Sequence, residues 1–291
     1  MKSRSLAPWL LLSPFLLTFC IFFAYPIVRS LFLATEQTFG AGTTRFVGLE
    51  NIQRLLIDPL FYTALWNTFL FTLGSVFIQL PIALGLALLL EVKGLRGKSI
   101  FRVILFSPAM VGVAFSAMIF GVVFEKRTGV LNRILHGLFG FDLDYAWLQD
   151  HLMSALIVAA LWMYVGFNMV FFSAALQNVR RELHEAATID GAGPFSRFIH
   201  VIVPAIRPVA GFVVLLSITG SFQLFELPWL MLNSTPGPDN RGLTVVMYLY
   251  QAGFDSNDLG YASAIGWALT LILIIIALGQ RWLNRRHAEE A

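Results

Sequence analysis

The sequence predicts an all-α integral membrane protein with six transmembrane helices and both termini in the cytoplasm. Two observations carry this prediction. The chain of 291 residues is 57% hydrophobic and only 13% charged, and its mean hydropathy is +0.74, which excludes a water-soluble globule. The charged residues are also unevenly placed, and they leave six long stretches without Asp, Glu, Lys or Arg.

These uncharged stretches have the length of membrane spans. A helix needs about 20 apolar residues to cross the hydrocarbon core, and the fifth stretch reaches this length by continuing past Glu226 to Leu232. The runs do not alternate apolar with polar residues, which speaks against a β-barrel. A single transmembrane domain, residues 1–291, is therefore expected. Its predicted spans are 8–33, 62–90, 102–124, 152–176, 206–232 and 260–283.

The first apolar stretch is expected to remain as a membrane helix. Lys2 and Arg4 precede it, as in a secretory signal, but residues 6–28 exceed the usual length of about 7 to 15 residues for a signal core. No small-residue cleavage site follows at a suitable distance. We therefore interpret this stretch as the first span.

The distribution of Lys and Arg predicts the orientation. With six alternating spans, 13 of these residues fall on the side that holds both termini and 7 on the other. Positive residues favour the cytoplasmic side, so the connections after the second and fourth spans should be cytoplasmic. The positive charge is thus an insertion signal, and no contiguous basic face suggests a nucleic-acid partner.

Catalytic and metal sites are not expected. Cys20 is the single cysteine, and the five histidines show no close ligand spacing. No His–carboxylate or Ser–Lys set falls at one membrane depth. Gly94–Ser99 resembles only the end of a phosphate-binding loop, because Val92 stands where its first glycine is required. The chain is therefore not predicted to be an enzyme.

Residues 177–205 form an unusual cytoplasmic segment, polar enough to leave the membrane but patterned for helices. The stretch 180–189 predicts one helix, Gly191 and Gly193 interrupt it, and 195–203 predicts a second short helix before Pro204. Small residues allow another backbone to approach closely, and acids can bind a basic partner. This composition favours docking over an ordinary interfacial helix, which would be rich in Lys and Arg.

The string EAATIDGAGPFSRFIHVIVP, residues 185–204, resembles the Glu-Ala-Ala loop of permeases of binding-protein-dependent ABC importers. Gly191 falls in register with the family glycine, whereas Val201 and Val203 replace the usual Ile and Leu. The resemblance implies that this loop docks on a separate ATPase subunit. The residues it assigns to coupling are Glu185, Ala186, Ala187, Asp190, Gly191, Ala192 and Pro204.

The resemblance extends over nearly the whole chain. PWLLLSPFLLTFCIFFAYPIVRSLFL, FVGLENIQRLLIDPLFYTALWNTFLFT and RGLTVVMYLYQAGF are similar to carbohydrate permeases related to the maltose and lactose systems. This implies the type I importer permease fold in a bacterial inner membrane, and a di- or oligosaccharide as cargo. The implied partners are a second permease, two ATPase subunits that bind ATP and magnesium, and an extracytoplasmic binding protein. No cofactor is implied in this chain itself.

Polar residues inside the spans are candidates for the cargo pathway. Thr219, Gln223 and Glu226 would share one face of a continuous helix, with aromatic residues nearby. A carboxylate within a span is costly and should face the bundle or the pore. Tyr164 and Asn168 in the fourth span are further candidates, while Asn67 and Gln79 in the second span are expected to make packing bonds.

Two alternatives remain open. The cargo could be a solute other than a sugar, such as a glycerol phosphate. A secondary transporter is less favoured, since Pro81 and Pro108 interrupt spans but the sequence shows no matched halves. The identity of the sugar and the nature of the permease pair do not follow from the sequence.

Overall fold

The structure is a computed structural model that describes residues 7–39, 43–92 and 94–289. Five helices in this range are long and apolar enough to cross a membrane, and there are six candidates when a sharply bent pair is counted as one broken span. The prediction of six spans in an all-α protein is therefore confirmed. Lys2 and Arg4, which support the predicted orientation, lie outside the described residues. The spans are Trp9–Leu33, Pro59–Leu90, the bent pair Lys98–Met110 and Val113–Val123, Leu152–Gln177, Pro194–Phe222 and Leu259–Leu283.

Shorter elements connect the spans. After the first span, Glu36–Phe39 and Thr43–Phe46 form an antiparallel hairpin in which Glu36 pairs with Phe46. The helix of the sixth span continues to Glu289. The connecting helices are Glu50–Ile57, Val130–Phe139, Trp147–Asp150, Arg181–Ile189, Glu226–Met231 and Val245–Tyr250.

A π turn precedes a proline in three of the spans. Pro26, Pro81 and Pro204 each stand two residues after the end of a π turn. Proline lacks an N–H, and its ring clashes with the carbonyl four residues earlier in an α-helix. The wider π turn relieves this clash, so the helix continues through the bilayer. The turns are Cys20–Ala24, Ser75–Gln79 and Phe198–Ile202.

The third span is broken, which corrects the predicted continuous helix over 102–124. Its two halves meet at 96°. Val111 and Gly112 at the bend have extended backbone, with ψ of 125° and 149°. Pro108, in the 3₁₀ turn just before the bend, cannot donate a helical hydrogen bond. The apolar run therefore folds as two helices.

The fifth span also differs from the predicted range of 206–232. One helix runs from Pro194 to Phe222, so the short helix expected over 195–203 is its first part. The π turn before Pro204 lets this helix pass the proline without a break. After three intervening residues, a separate helix begins at Glu226. The apolar pattern alone does not reveal either boundary.

The chain divides into two compact units. We call the first, Met1–Phe61 with Tyr248–Leu271, the hairpin unit, and the second, Tyr62–Met247 with Ile272–Ala291, the bundle unit. In the hairpin unit, the Arg29 guanidinium donates two hydrogen bonds of 2.9 and 2.8 Å to the Glu36 carboxylate. The buried Asn51 amide donates to the carbonyl oxygens of Ala34 and Glu36 at 3.0 and 2.9 Å. These bonds hold the hairpin against its flanking helices.

The bundle unit is organised around the fourth span. Ala155, Ala159 and Ala160 on this helix are buried in its core. Gly166 lies against the backbone carbonyl of Leu105, and any side chain there would collide with that carbonyl. Small residues allow helices to pack closely where lipid supplies no hydrophobic drive for association.

Candidate functional site

A cavity of about 540 Å³ lies inside the bundle unit, lined by the second, fourth and fifth spans and by the start of the Glu226–Met231 helix. We call it the bundle cavity. Aromatic rings of Phe71, Phe167 and Phe225 face it. It therefore combines apolar surface with hydrogen-bonding groups. Its polar lining residues are Ser75, Gln79, Tyr164, Asn168, Ser217, Ser221, Gln223 and Glu226.

Four of the five residues predicted for the cargo pathway line this cavity. Tyr164 and Asn168 reach it from the fourth span, and Gln223 and Glu226 reach it from the two sides of the gap after the fifth span. Asn168 is buried, while Tyr164 is 39% exposed. Two separate segments of the chain thus place polar groups in one cavity.

Thr219 is the exception. Its hydroxyl donates a 2.8 Å hydrogen bond to the carbonyl of Leu215 in its own helix, and it is not among the residues that line the cavity. The expected single helical face of Thr219, Gln223 and Glu226 is wrong, because the helix ends at Phe222. The backbone break, rather than helical spacing, brings Gln223 and Glu226 to the cavity.

Pro228 gives the physical reason for this break. In a continuous helix the N–H of residue 228 would bond the carbonyl of Leu224, but proline has no N–H and its ring would clash there. The hydroxyl of Thr244 donates instead to the Leu224 carbonyl at 2.6 Å. Irregular backbone at membrane depth is tolerated where protein groups satisfy it or where it lines a cavity. Both conditions hold here.

Part of the cavity wall was not predicted from the sequence. The hydroxyls of Ser75 and Ser217 lie 2.7 Å apart and link the second and fifth spans. Gln79, expected to be a packing residue, lines the cavity. The signal was the spacing of polar residues four apart in otherwise apolar runs, Ser75 with Gln79 and Ser217 with Ser221. Such spacing places polar groups on one helical face.

Asn67 has the packing role that its sequence suggested. Its side-chain amide donates to the carbonyls of Asn240 and Leu243 at 2.8 and 3.0 Å. The neighbouring Thr68 hydroxyl accepts the N–H of Val245 at 3.1 Å. The second span therefore fixes the segment that carries Thr244 and, through it, the break before Glu226.

The helix Arg181–Ile189, which we call the Glu-Ala-Ala helix, ends in a hydrogen-bonded cap. The N–H of Gly191 donates to the carbonyl oxygen of Thr188 at 3.2 Å, and the N–H of Ala192 donates to the carbonyl oxygen of Ala187 at 2.9 Å. This pair of bonds is a Schellman motif. Gly191 adopts φ of +74°, a left-handed conformation that side chains disfavour. The cap turns the chain toward Pro194.

The surface of the Glu-Ala-Ala helix is largely exposed within the chain. Glu185, Ala186 and Asp190 are exposed, and Ala187 is half-buried. Ile189 on the same helix is 86% exposed. The segment is also tied to the fifth span, since the Arg197 guanidinium donates to the Thr188 hydroxyl at 3.2 Å. Pro204 lies further along that span.

The hairpin unit contains a second, more polar cavity of about 740 Å³. Arg54 forms a 2.8 Å ion pair with Asp258 and lies 3.9 Å above the ring of Tyr261. The hydroxyls of Tyr248 and Tyr261 both donate to the Asp58 carboxylate. Lining residues of this cavity include Arg54, Tyr248, Asp258 and Tyr261.

These contacts shift the pKa of Asp58 and the pKa of Tyr248. Burial alone would raise the pKa of Asp58, but the two tyrosine hydroxyls and the N–H groups of Leu60 and Phe61 outweigh burial and hold it below its ordinary value. Burial, followed by the bond to Asp58, raises the pKa of Tyr248 to about 12. Asp58 is therefore charged and Tyr248 is a neutral donor at physiological pH.

Apolar spans, broken helices and a polar cavity in the bundle define an integral membrane transport protein. A family model, "Binding-protein-dependent transport system inner membrane component", matches residues 79–289. The chain belongs to this family. It is therefore a permease component in the inner membrane, and the family resemblance found in its sequence is confirmed.

Relatives extend the match beyond the family model. The arabinooligosaccharides transport system permease protein AraP of Bacillus subtilis is 39% identical, over 95% of this chain and 88% of its own. The lactose transport system permease protein LacF of Rhizobium radiobacter is 32% identical, over 96% of this chain and 94% of its own. The sn-glycerol-3-phosphate transport system permease protein UgpA of Salmonella typhimurium is 31% identical over the same shares.

Solved structures share the fold. A chain of a bacterial ABC transporter involved in the import of the acidic polysaccharide alginate superposes with a TM-score of 0.84. It is 21% identical, and the match covers 97% of this chain and 96% of that one. A structure of the alginate transporter with an alginate pentasaccharide-bound periplasmic protein gives a TM-score of 0.85. The importer permease fold implied by the sequence is thereby confirmed.

Proposed function

We propose that this chain is a transmembrane subunit of an ABC importer that carries a di- or oligosaccharide across the inner membrane. The observation that carries the proposal is the bundle cavity, which collects hydroxyl, amide and carboxylate groups beside aromatic rings. A sugar needs this combination, because its hydroxyl groups form hydrogen bonds and its ring faces pack on aromatic surfaces. Two relatives are named for arabinooligosaccharide and lactose transport.

The cavity supplies groups suited to both parts of a sugar. The amides of Gln79, Asn168 and Gln223 can donate and accept hydrogen bonds, and the Glu226 carboxylate can accept them from hydroxyls. Tyr164 and Phe167 are each partly exposed, at 39% and 41%. We assign Tyr164, Asn168, Gln223 and Glu226 to the cargo pathway and no longer include Thr219.

Coupling would pass through the Glu-Ala-Ala helix. Its small residues Ala186 and Ala187 permit close approach of an ATPase subunit, and Glu185 and Asp190 offer carboxylates to basic groups of that subunit. The capped turn at Gly191 and the bond between Arg197 and Thr188 join the helix to the fifth span. A displacement of the docked helix would therefore reach the span that lines the bundle cavity.

The far end of the fourth span provides a second connection. The Gln177 amide donates to the Glu91 carboxylate at 3.1 Å, and Arg102 lies 3.5 Å from the same carboxylate. These contacts join the ends of the second, third and fourth spans just before the Glu-Ala-Ala helix begins. Movement of that helix would thus be transmitted to the bundle rather than absorbed by a loose linker.

The remaining subunits would supply what this chain lacks. Two ATPase subunits would bind ATP and magnesium, so this chain would carry no cofactor, and a second permease would complete the pore. The 18-residue apolar window of the first span is not buried within the chain, which leaves surface for lipid and the second permease. A binding protein would deliver cargo outside. Cargo and ATP would have to favour the same conformation for import to be coupled.

One alternative cargo has a specific observation in its favour. The UgpA relative is named for sn-glycerol-3-phosphate transport and is 31% identical over 96% of this chain. Uptake assays can separate the two cargo classes. Cells in which the gene is deleted and cells complemented with it would be given radiolabelled arabinotriose, maltotriose, lactose and sn-glycerol 3-phosphate.

We expect complementation to restore uptake of at least one neutral oligosaccharide and to leave glycerol phosphate uptake unchanged. A chain carrying Ala187→Trp provides the control for coupling, because the bulky ring should prevent ATPase docking without changing the cavity. Restored uptake of glycerol phosphate alone would replace the proposed cargo with the alternative.

A further inference from the structure

The wall of the bundle cavity contains very few charged residues. Among the described residues that line it, Glu226 alone carries a charge, and none is Lys, Arg or His. The remaining polar groups are neutral hydroxyls and amides. Glu226 is exposed, and it lines the cavity together with Tyr164. The cavity therefore presents a negative charge with no cation from its own wall.

Three arginines of the bundle unit make contacts outside the cavity. Arg102 lies 3.5 Å from Glu91, and Arg241 lies 3.5 Å from Asp239 and donates to the carbonyl of Gln149 at 3.3 Å. Arg197 bonds Thr188 at the Glu-Ala-Ala helix. None of the three lines the cavity. They therefore do not offer a direct partner to an anion inside it.

Glu226 distinguishes two classes of cargo by elementary chemistry. A neutral sugar has hydroxyl donors, and a carboxylate is a strong acceptor for them. A phosphate ester or a uronate brings its own negative charge and acceptor oxygens, which need donors such as Arg or Lys. Juxtaposed like charges repel each other, so such a solute is disfavoured beside Glu226.

We propose that Glu226 makes the bundle cavity selective for uncharged, hydroxyl-rich cargo and excludes phosphate esters and uronates. The inference rests on the proposed function and narrows it to neutral oligosaccharides.

The test uses the assembled importer in lipid nanodiscs without its binding protein, so that the permease is measured by itself. Saturation-transfer NMR would compare the neutral sugars arabinotriose and maltotriose with anionic trigalacturonate, which has the same number of rings. In the wild type we expect at least one neutral trisaccharide to bind about tenfold or more tightly than trigalacturonate. Glu226→Gln should reduce this ratio to less than about threefold, and Glu226→Lys should reverse it.

Two further variants separate selectivity from folding. Glu226→Asp keeps the charge and should keep the preference for neutral sugar. Asp239→Asn removes a carboxylate that is 80% exposed in the same unit and does not line the cavity, so its ratio should equal that of the wild type. Each complex would first be shown by size-exclusion chromatography to be assembled.

The outcomes distinguish the inference from the proposed function. If the wild type binds trigalacturonate as well as the neutral sugars, or if Glu226→Gln leaves the ratio unchanged, selection by Glu226 is refuted while carbohydrate import stands. If no trisaccharide binds, or if sn-glycerol 3-phosphate binds instead, the carbohydrate assignment fails and the inference fails with it.

Discussion

The hydroxyl of Thr244 donates a 2.6 Å hydrogen bond to the carbonyl of Leu224, the group that Pro228 leaves without its helical donor. Thr244 is almost fully buried, at 1% exposure, so water cannot readily replace this bond. Thr244→Val should therefore lower the free energy of unfolding by about 1 to 3 kcal/mol, the cost of a buried unsatisfied carbonyl. Thermal unfolding of the purified complex would measure the loss.

Thr244→Ser is the matched control, since it keeps the hydroxyl and should lose much less stability. Uptake per assembled complex should fall for Thr244→Val, because the same bond positions the break between Gln223 and Glu226. Equal stability of the Val and Ser variants would show that the hydroxyl does not support the break.

Gly191 and Gly193 provide a matched pair for the Glu-Ala-Ala segment. Open space surrounds both positions, but Gly191 has φ of +74° and Gly193 has φ of −67°. A β-branched residue is strained at the first position and compatible with the second, which precedes a proline. Gly191→Val should therefore reduce cargo-stimulated ATPase activity severely, and Gly193→Val should have little effect.

The measurement would use the assembled complex in proteoliposomes, with membrane abundance checked by immunoblot. Gly191→Pro should abolish uptake. A fully active Gly191→Val variant at normal abundance would contradict the view that the left-handed cap positions the coupling segment.

The membrane orientation remains a prediction that reporter fusions can check. The chain has 13 Lys and Arg on the predicted inner side and 7 on the outer side. Two of the outer arginines are paired with acids of the same side, Arg54 with Asp258 and Arg127 with Asp144, at 2.8 and 4.0 Å. A fluorescent protein that matures only in the cytoplasm should be bright after Arg286 and dark near Asn240. The reverse pattern would place the Glu-Ala-Ala helix outside.

The lowered pKa of Asp58 predicts that the protein loses stability in acid. Its pKa is held below the ordinary value of 3.8, so the folded state favours the charged form. The stabilisation is present above about pH 4 and is lost as the pH falls through the folded pKa. Between about pH 5 and pH 3, the thermal midpoint of the wild type should fall more steeply than that of Asp58→Asn.

Asp255→Asn, which removes an exposed carboxylate of the same unit, should retain the steep fall of the wild type. The same slope in Asp58→Asn and the wild type would show that the bonds from Tyr248 and Tyr261 do not stabilise the charged carboxylate.

Much of the fold could be predicted from the sequence because the bilayer imposes strong rules. Long apolar runs have to cross as helices whose backbone groups bond internally, and the six spans followed from that requirement alone. The glycine cap was also predictable, since a glycine that directly follows a helical pattern commonly takes the left-handed conformation. Gly191 fulfils this expectation with φ of +74°.

The positions of the breaks required the tertiary structure. Hydropathy does not distinguish a continuous span from two apolar helices, so Pro108 and Pro228 could be seen but their consequences could not. Pro81 and Pro204 lie in similar apolar sequence, yet π turns carry their helices through. At Pro228 a distant segment takes part, since the Thr244 hydroxyl donates to the freed carbonyl of Leu224.

The sequence by itself determined the membrane class and the number of spans. It also predicted a cytoplasmic docking segment and the polar candidates Tyr164, Asn168, Gln223 and Glu226. These features are local, because they depend on composition, run length and spacing along one chain segment. Only the tertiary structure decided that these four residues share one cavity with Ser75 and that Thr219 does not. A cavity forms from helices distant in sequence, and a hydrogen bond across them fixes which residues face it.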